Sequence, residues 1–341
     1  MKNYGVGIVG TGWVAKQHFE AFDSHPAARV VGLVGSRPER AETSRKAWRA
    51  DCAVFPDYSS MLSDPEIQIV SIATPNHHHA QQAIQAAQAG KHILIEKPPA
   101  LTLPDLHRMQ SAVRSAGVKT VVSYVLRWNP LIQTMKEYIQ HGTLGRIFFA
   151  QVDYWNNSGR AKIPGHWTTR RETGGSAFLT GGNHAVDAIR WLVGDEIVEV
   201  SAQAVRVYED YEYPPNVLAW VKFNNDALGK VSAILEGCLP YQFNIDLLGE
   251  RGSFRDNRLW SPGSFPGQND WIHIPTITPN SGDVTHHPFK DEVAHFVQCI
   301  QEDRESFVNL DDAGKTIEVC IAIDRSLASG VPVQLPMTVN G

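Results

Sequence analysis

Cysteine is scarce in this chain. The 341 residues hold four, Cys52, Cys238, Cys299 and Cys320, with no C-x-x-C pair among them. Such scatter offers neither a disulfide framework nor a cysteine zinc site, and it fits a reducing compartment. No apolar run approaches the ~20 residues that a membrane helix needs. No signal-peptide pattern precedes the first strand pattern at Tyr4. A cytoplasmic protein without a membrane partner is the expectation. Excess positive charge is missing too: 31 Lys and Arg against 36 Asp and Glu give a formal net charge of -5. Such a chain has no electrostatic reason to seek nucleic acid. Internal repeats and low-complexity tracts are also absent.

What is present divides into two textures, and the length suits two domains. Up to Ser123, short apolar runs alternate with helix-period segments. Strands are expected at Tyr4–Val9, Arg29–Val34, Ile67–Ile72, His92–Ile95 and Lys119–Val122, and a helix over Leu103–Ala116. Ile67–Ile72 carries no charge, which predicts a strand covered on both faces. Strands separated by helices imply a parallel sheet. After Ser123, a helix over Pro130–Gln140 and a long one over Ser176–Leu192 accompany alternating strands. These are Arg146–Tyr154, Ile197–Val205, Val217–Phe223, Gly229–Leu235 and Phe243–Leu248. Several follow one another without helices, which predicts a mainly antiparallel sheet open on one face. Residues 256–290, rich in Pro, Gly, Asn and His, read as loop. The expected fold is α/β: a Rossmann domain over 1–123, then an α+β domain over 124–341.

Gly10-Thr11-Gly12-Trp13-Val14-Ala15 fits G-x-G-x-x-A between the first strand and the first helix. Gly10 permits the tight turn. Gly12 lets a pyrophosphate reach the backbone, with the helix N-terminus at Trp13 and Val14 offering free N–H groups. A dinucleotide is the expected cofactor. NAD binders usually place a carboxylate at the end of the second strand, but here the chain reads Gly35-Ser36-Arg37. Ser36 and Arg37 can instead bond a 2′-phosphate, which favours NADP over NAD. The strand pattern at Ile67–Ile72 leads into Thr74-Pro75-Asn76-His77-His78-His79. Read as extended chain, adjacent histidines point to opposite faces and make a poor metal chelate. Asn76 beside the nicotinamide ribose is the better reading, and no metal is expected. Glu96-Lys97-Pro98 directly follows the apolar Ile93-Leu94-Ile95. A lysine there, with Pro98 able to be cis, can hydrogen-bond a substrate oxygen and favour its alkoxide character.

These motifs resemble the glucose–fructose oxidoreductase / inositol dehydrogenase / rhizopine-catabolism (Gfo/Idh/MocA) family. Arg127-Trp128-Asn129-Pro130 is similar to its R-[FW]-N-P. Gly174–Leu179, leading to His184-Ala185-Val186-Asp187, is similar to its G-G-x-x-x-[LM] and H-x-x-D helix, and the tail Phe289–Pro336 to its closing segment. The resemblance implies that Lys97 polarises the reacting oxygen and that His184 is the general acid/base. Asp187, one helical turn on, would orient the ring or hold a hydroxyl. It carries Thr74, Pro75, His79 and Glu96 into the cofactor site. It places Tyr154, Trp155, Asn156, Trp167, Arg171, Arg127 and Asn183 toward a carbohydrate. Rings can cover C–H faces there, and amide or basic groups can bond hydroxyls. A homodimer or homotetramer through the second-domain sheet is implied as well. One position departs from the pattern. The family often has D-x-G-x-H, and here Thr180, which bears no charge, stands four residues before His184. The expected activity is NAD(P)-dependent hydride transfer at a sugar, sugar-derivative or cyclitol carbinol. Two alternatives are glycoside cleavage by transient oxidation and elimination, and a non-catalytic dinucleotide sensor, which would be expected to have lost the lysine or histidine.

Overall fold

A computed structural model describes residues 4–157, 165–280 and 287–337. The chain separates into two compact units, one of residues 1–124 with 288–314, the other of 125–287 with 315–341. The segment 288–314 thus groups with the first unit, although the sequence reading put everything after 123 in the second. The reason is packing: Phe289, which opens that segment, meets the Trp13 ring edge-on and the His18 ring at a tilt, at centroid distances of 6.4 and 5.4 Å.

In the first unit, β1 (Tyr4–Val9), β2 (Ala28–Val34), β3 (Ala53–Val54), β4 (Ile69–Ile72), β5 (His92–Ile95) and β6 (Thr120–Val122) form a parallel sheet. Its order is β3-β2-β1-β4-β5-β6. This is the doubly wound order of dinucleotide-binding sheets. Helices α1 (Trp13–Asp23), α2 (Pro38–Trp48), α3 (Tyr58–Leu62), α4 (Asn76–Gln88) and α5 (Leu103–Ala116) link the strands. All of β1 and β4 is buried, as a sheet covered on both faces requires. α4 starts at Asn76, so the histidine run lies on a helical first turn and not on extended chain.

The second unit holds α6 (Pro130–Gln140), β7 (Ile147–Trp155), α7 (Arg171–Gly174) and α8 (Asn183–Val193). Strands β8 (Ile197–Val205), β9 (Asn216–Phe223), β10 (Leu228–Ile234), β11 (Gln242–Gly249), β12 (Ser253–Arg255), β13 (Arg258–Trp260) and β14 (Ile272–His273) follow. After α9 (Phe289–Gln301) and α10 (Leu310–Ser329) comes β15 (Val333–Gln334). The sheet runs β14-β13-β12-β11-β7-β10-β9-β8-β15, antiparallel except for the β7–β10 pair. β13 and β14 lie where loop was expected; strands of two or three residues are too short to show a period of two. β9 shows the half-covered pattern plainly. Val217, Ala219, Val221 and Phe223 are buried, while Trp220 is 54% exposed. No helix of the described residues is long and apolar enough to cross a membrane.

Candidate functional site

In the first unit, backbone shape prepares a phosphate cradle. Gly10 has φ +124°, and a Cβ there would lie 2.2 Å from the Ala73 carbonyl oxygen, so only glycine fits the turn. A Cβ on Gly12 would meet nothing within 4 Å. Gly12 is the N-cap of α1, without a side-chain cap and with no acidic residue in the first turn. The free N–H groups at Trp13 and Val14 therefore present an uncompensated positive dipole end. Gly12 and Trp13 are exposed and Val14 is half-buried. At the end of β2, Ser36 and Arg37 are exposed, and Arg37 is the extended N-cap of α2.

The β4 and β5 ends are tied together by His79. Its ring nitrogens lie 2.8 Å from the carbonyl oxygens of Pro98 and Thr74. Burial holds this histidine below its ordinary pKa despite those carbonyls. The motif counts His79 among cofactor contacts, but its polar atoms are already committed to the two loops. Thr74 Oγ1 donates to Gln82 Oε1 at 2.6 Å, Pro75 caps α4, and Asn76 is buried. His77 and His78 are exposed, and the described residues hold no cluster of three or more His, Cys, Asp or Glu fit for a metal.

The Lys97–Pro98 bond is cis. Lys97 is half-buried, and its own N–H donates to Glu96 Oε2 at 3.3 Å. The other carboxylate oxygen lies 3.2 Å from His18 Nε2. A carboxylate only accepts, so Nε2 donates to it, and Nδ1 lies 2.7 Å from Ser71 Oγ. Burial pushes the Glu96 carboxyl up, but His18 and Lys97 outweigh it and hold the group below the usual range. Glu96 thus anchors the turn that carries Lys97.

In the second unit, the helix expected over 176–192 is present from Ala177 onward, with a π turn inside it. Phe178–Gly182 forms a π turn, and α8 begins at Asn183. Rings require the two glycines of that turn. A Cβ on Gly181 would stand 2.5 Å from Tyr154 Cε1, and one on Gly182 would stand 2.7 Å from Phe178 Cδ1. π turns of this kind recur at functional sites. His184 follows directly, buried at 7% exposure, with the Tyr154 ring nearly parallel to it at 6.1 Å. The Tyr154 hydroxyl accepts from Asn156 Nδ2 at 3.2 Å. Tyr241 meets Tyr154 edge-on at 5.6 Å, and burial pushes its phenol well up. Thr180 donates to the Gly174 carbonyl at 3.0 Å and lies 3.3 Å from the Tyr213 hydroxyl.

Several expected contacts are redirected. Asp187 and Arg127 form a buried bidentate pair at 2.8 and 2.7 Å, with side chains 4% and 3% exposed. Each therefore neutralises the other. Asn183 is fully buried and donates back to the Leu179 carbonyl. Trp155 follows Tyr154 on β7, so it faces the other side of the sheet. There its indole donates to Ser232 Oγ at 2.9 Å, beside the Asp153–Lys230 ion pair. Trp167 is half-buried on a 3₁₀ turn with His166 stacked at 5.8 Å, and Arg171 is exposed. Arg171, Ser176, Tyr213 and Asp324 line a cavity of about 260 Å³. Burial pushes the Asp324 carboxyl up to about 6. Sequence reading missed His18, Ser71, Thr316, which donates to Asp187 Oδ1 at 3.4 Å, and Glu292, which accepts from Ser123 Oγ at 2.9 Å. Only Glu292 leaves a signal, a lone acid in the apolar face Phe289–Val293–Phe296.

A family model described as an oxidoreductase family with an NAD-binding Rossmann fold matches residues 4–124. One described as a GFO/IDH/MocA C-terminal domain matches residues 132–255. Levoglucosan dehydrogenase of Pseudarthrobacter phenanthrenivorans is 34% identical over 205 residues, which are 57% of this chain and 52% of that enzyme. The scyllo-inositol 2-dehydrogenase (NAD(+)) of Bacillus subtilis is 27% identical over 342 residues, 96% of this chain and 95% of that one. Among solved structures, levoglucosan dehydrogenase in complex with NADH and L-sorbose superposes with a TM-score of 0.91 at 25% identity. That match covers 99% of this chain and 100% of the other.

Proposed function

The chain belongs to the Gfo/Idh/MocA oxidoreductase family, and from that premise we propose that it moves a hydride between a nicotinamide coenzyme and a carbinol carbon of a sugar, sugar derivative or cyclitol. The observation that carries this reading is the pairing of an uncapped, glycine-opened α1 N-terminus with a charged Glu96-Lys97 turn at a strand end of the same sheet. When bound, the coenzyme supplies the hydride acceptor or donor at nicotinamide C4. Gly10, Gly12 and the first turn of α1 would hold its pyrophosphate. The Lys97 ammonium donates to the substrate oxygen and favours the alkoxide. His184 takes the hydroxyl proton in oxidation and returns it in reduction. The Arg127–Asp187 pair positions the helix that carries His184, and Tyr154 and Asn156 face the substrate.

Coenzyme choice rests on Ser36 and Arg37, exposed at the end of β2 with no carboxylate among Gly35, Ser36 and Arg37. NADPH is expected to bind more tightly than NADH in a fluorescence titration. Arg37→Ala should lower NADPH affinity by about tenfold and leave NADH nearly unchanged, the value of one charge-assisted hydrogen bond. Tighter binding of NADH would overturn this assignment, and a panel of sugars and cyclitols under both coenzymes then identifies the substrate.

Self-association through the open sheet face is part of the same reading. Leu228, Phe149 and Leu248 sit side by side across β10, β7 and β11, with Leu228 55% and Leu248 37% exposed. Trp220, 54% exposed, lies on the same face one position along. An apolar row of this kind marks an interaction surface. Light scattering should give a dimer or tetramer, and Leu228→Glu a smaller species; a monomeric wild type would reject the surface. Four free cysteines suit a reducing compartment such as the cytoplasm.

A further inference from the structure

Thr180 stands where the family pattern often has a carboxylate, four residues before His184. Its Oγ1 donates to the Gly174 carbonyl at 3.0 Å and lies 3.3 Å from the Tyr213 hydroxyl. Tyr213 is fully buried, and its hydroxyl donates to the Thr168 carbonyl. A hydroxyl has one hydrogen to give. Both hydrogens of this touching pair therefore go to carbonyls of one segment, 166–176, which leads into the π turn.

That segment is closely held. A Cβ on Gly174 would stand 2.5 Å from the Thr168 carbonyl oxygen, and Thr173 Oγ1 donates to the Trp167 carbonyl at 2.6 Å. Glu212, next to Tyr213, adds two ties. Its N–H donates to the Thr169 carbonyl at 2.9 Å, and its carboxylate accepts from the Arg171 N–H at 2.9 Å. On the other side, Thr180 sits in the middle of the π turn, with its N–H donating to the Ser176 carbonyl at 2.8 Å. Asn183 ties the start of α8 back to the same turn through the Leu179 carbonyl. Where Thr180 is held, the backbone therefore sets the place of His184 beside the Tyr154 ring. An ionised carboxylate at 180 has no hydrogen for the Gly174 carbonyl, so oxygen would face oxygen. The slot at 180 takes a donor.

Resting on the dehydrogenase reading above, we propose that Tyr213 is a positioning residue for His184: with Thr180 it pins the π turn to the segment 166–176 and so fixes where the imidazole stands. Position 180 in this chain is a hydrogen-bond donor to that segment and not a charge beside the histidine.

The test compares wild type, Tyr213→Phe, Thr180→Val, Thr180→Ser, Thr180→Asp and the double variant Tyr213→Phe with Thr180→Val. Steady-state kinetics are measured on a sugar or cyclitol that wild type oxidises. The carbon-13 line of the His184 Cε1, assigned with His184→Ala in histidine-labelled protein, is recorded alongside. Turnover, kcat, should fall about tenfold in Tyr213→Phe and in Thr180→Val, the worth of one hydrogen bond, with the coenzyme KM unchanged. The double variant should fall no further than either single one, because the two hydroxyls act as a unit. Thr180→Ser keeps the hydroxyl and should keep kcat. Thr180→Asp should lose turnover, although it restores the residue of the family pattern. The His184 line should move in Tyr213→Phe and Thr180→Val and stay in Thr180→Ser, a signature that lower stability alone does not give. The inference is overturned if Tyr213→Phe and Thr180→Val keep both kcat and the His184 line of wild type. It is overturned as well if their losses multiply in the double variant, or if Thr180→Asp is as active as wild type. Should Tyr213→Phe not fold, Thr180→Val and Thr180→Ser decide. A wild type that oxidises no sugar or cyclitol would instead strike the dehydrogenase reading, and the His184 line would still decide for Tyr213.

Discussion

Lys97→Met lowers kcat/KM for polyol oxidation by about 10²–10³, the usual loss on removing one preorganised donor to a developing oxyanion, while NADH still binds and the fold holds. The expectation of an intact fold has a specific basis. Glu96 is anchored by His18 and by the Lys97 backbone N–H, and neither involves the lysine ammonium. Methionine keeps much of the side chain's length and takes only the charge. The loss should appear mainly in kcat, because stabilisation confined to the transition state leaves ground-state binding alone. Steady-state kinetics with an NADH titration checks both halves. Unchanged turnover would remove Lys97 from the chemistry, and lost NADH binding would make it a cofactor anchor.

Asp187→Ala unfolds the second unit more easily, by about 3–5 kcal/mol, because it strands the Arg127 guanidinium in the interior. Arg127 is 3% exposed, and both of its bonds to Asp187 are short. At about 2–4 °C per kcal/mol, the melting temperature should drop on the order of 10 °C. Removing both charges together, as Arg127→Met with Asp187→Leu, should recover much of that loss, since an apolar pair often replaces a buried ion pair at little cost. Thermal unfolding of the single and double variants decides the matter. A single variant that melts like wild type yet fails to turn over would return Asp187 to a direct catalytic role.

Asp187 also shows where sequence reading reached its limit. The i, i+3 spacing from His184 was legible. What spacing does not reveal is the partner, because Arg127 is 60 residues away and paired only through the fold. Tyr154 and Trp155 teach the same lesson on a strand. Composition recommends both for a sugar pocket, but a period of two allows only one of them to share the His184 side. Five of the six strands of the parallel sheet were readable because their runs are apolar and bounded; the two-residue β3 was not. β13 and β14 were not, because two or three residues carry no period. The π turn was hidden too. Gly181 and Gly182 read as helix, and only the Tyr154 and Phe178 rings beside them show why those positions of the π turn are glycine. The motif residues at Gly10, Gly12 and Lys97 were the easiest to read, because backbone geometry and chemistry at a strand end limit which residues can stand there.

The fate of the carbinol hydrogen bears most directly on the account. A sugar or cyclitol that the protein turns over is prepared with deuterium on its reacting carbon and incubated with oxidised coenzyme. Deuterium should appear at C4 of the nicotinamide, in reduced coenzyme formed one for one with carbonyl product. Product that accumulates with no net reduced coenzyme, or a label that never leaves the substrate, would contradict hydride transfer as the function of this chain.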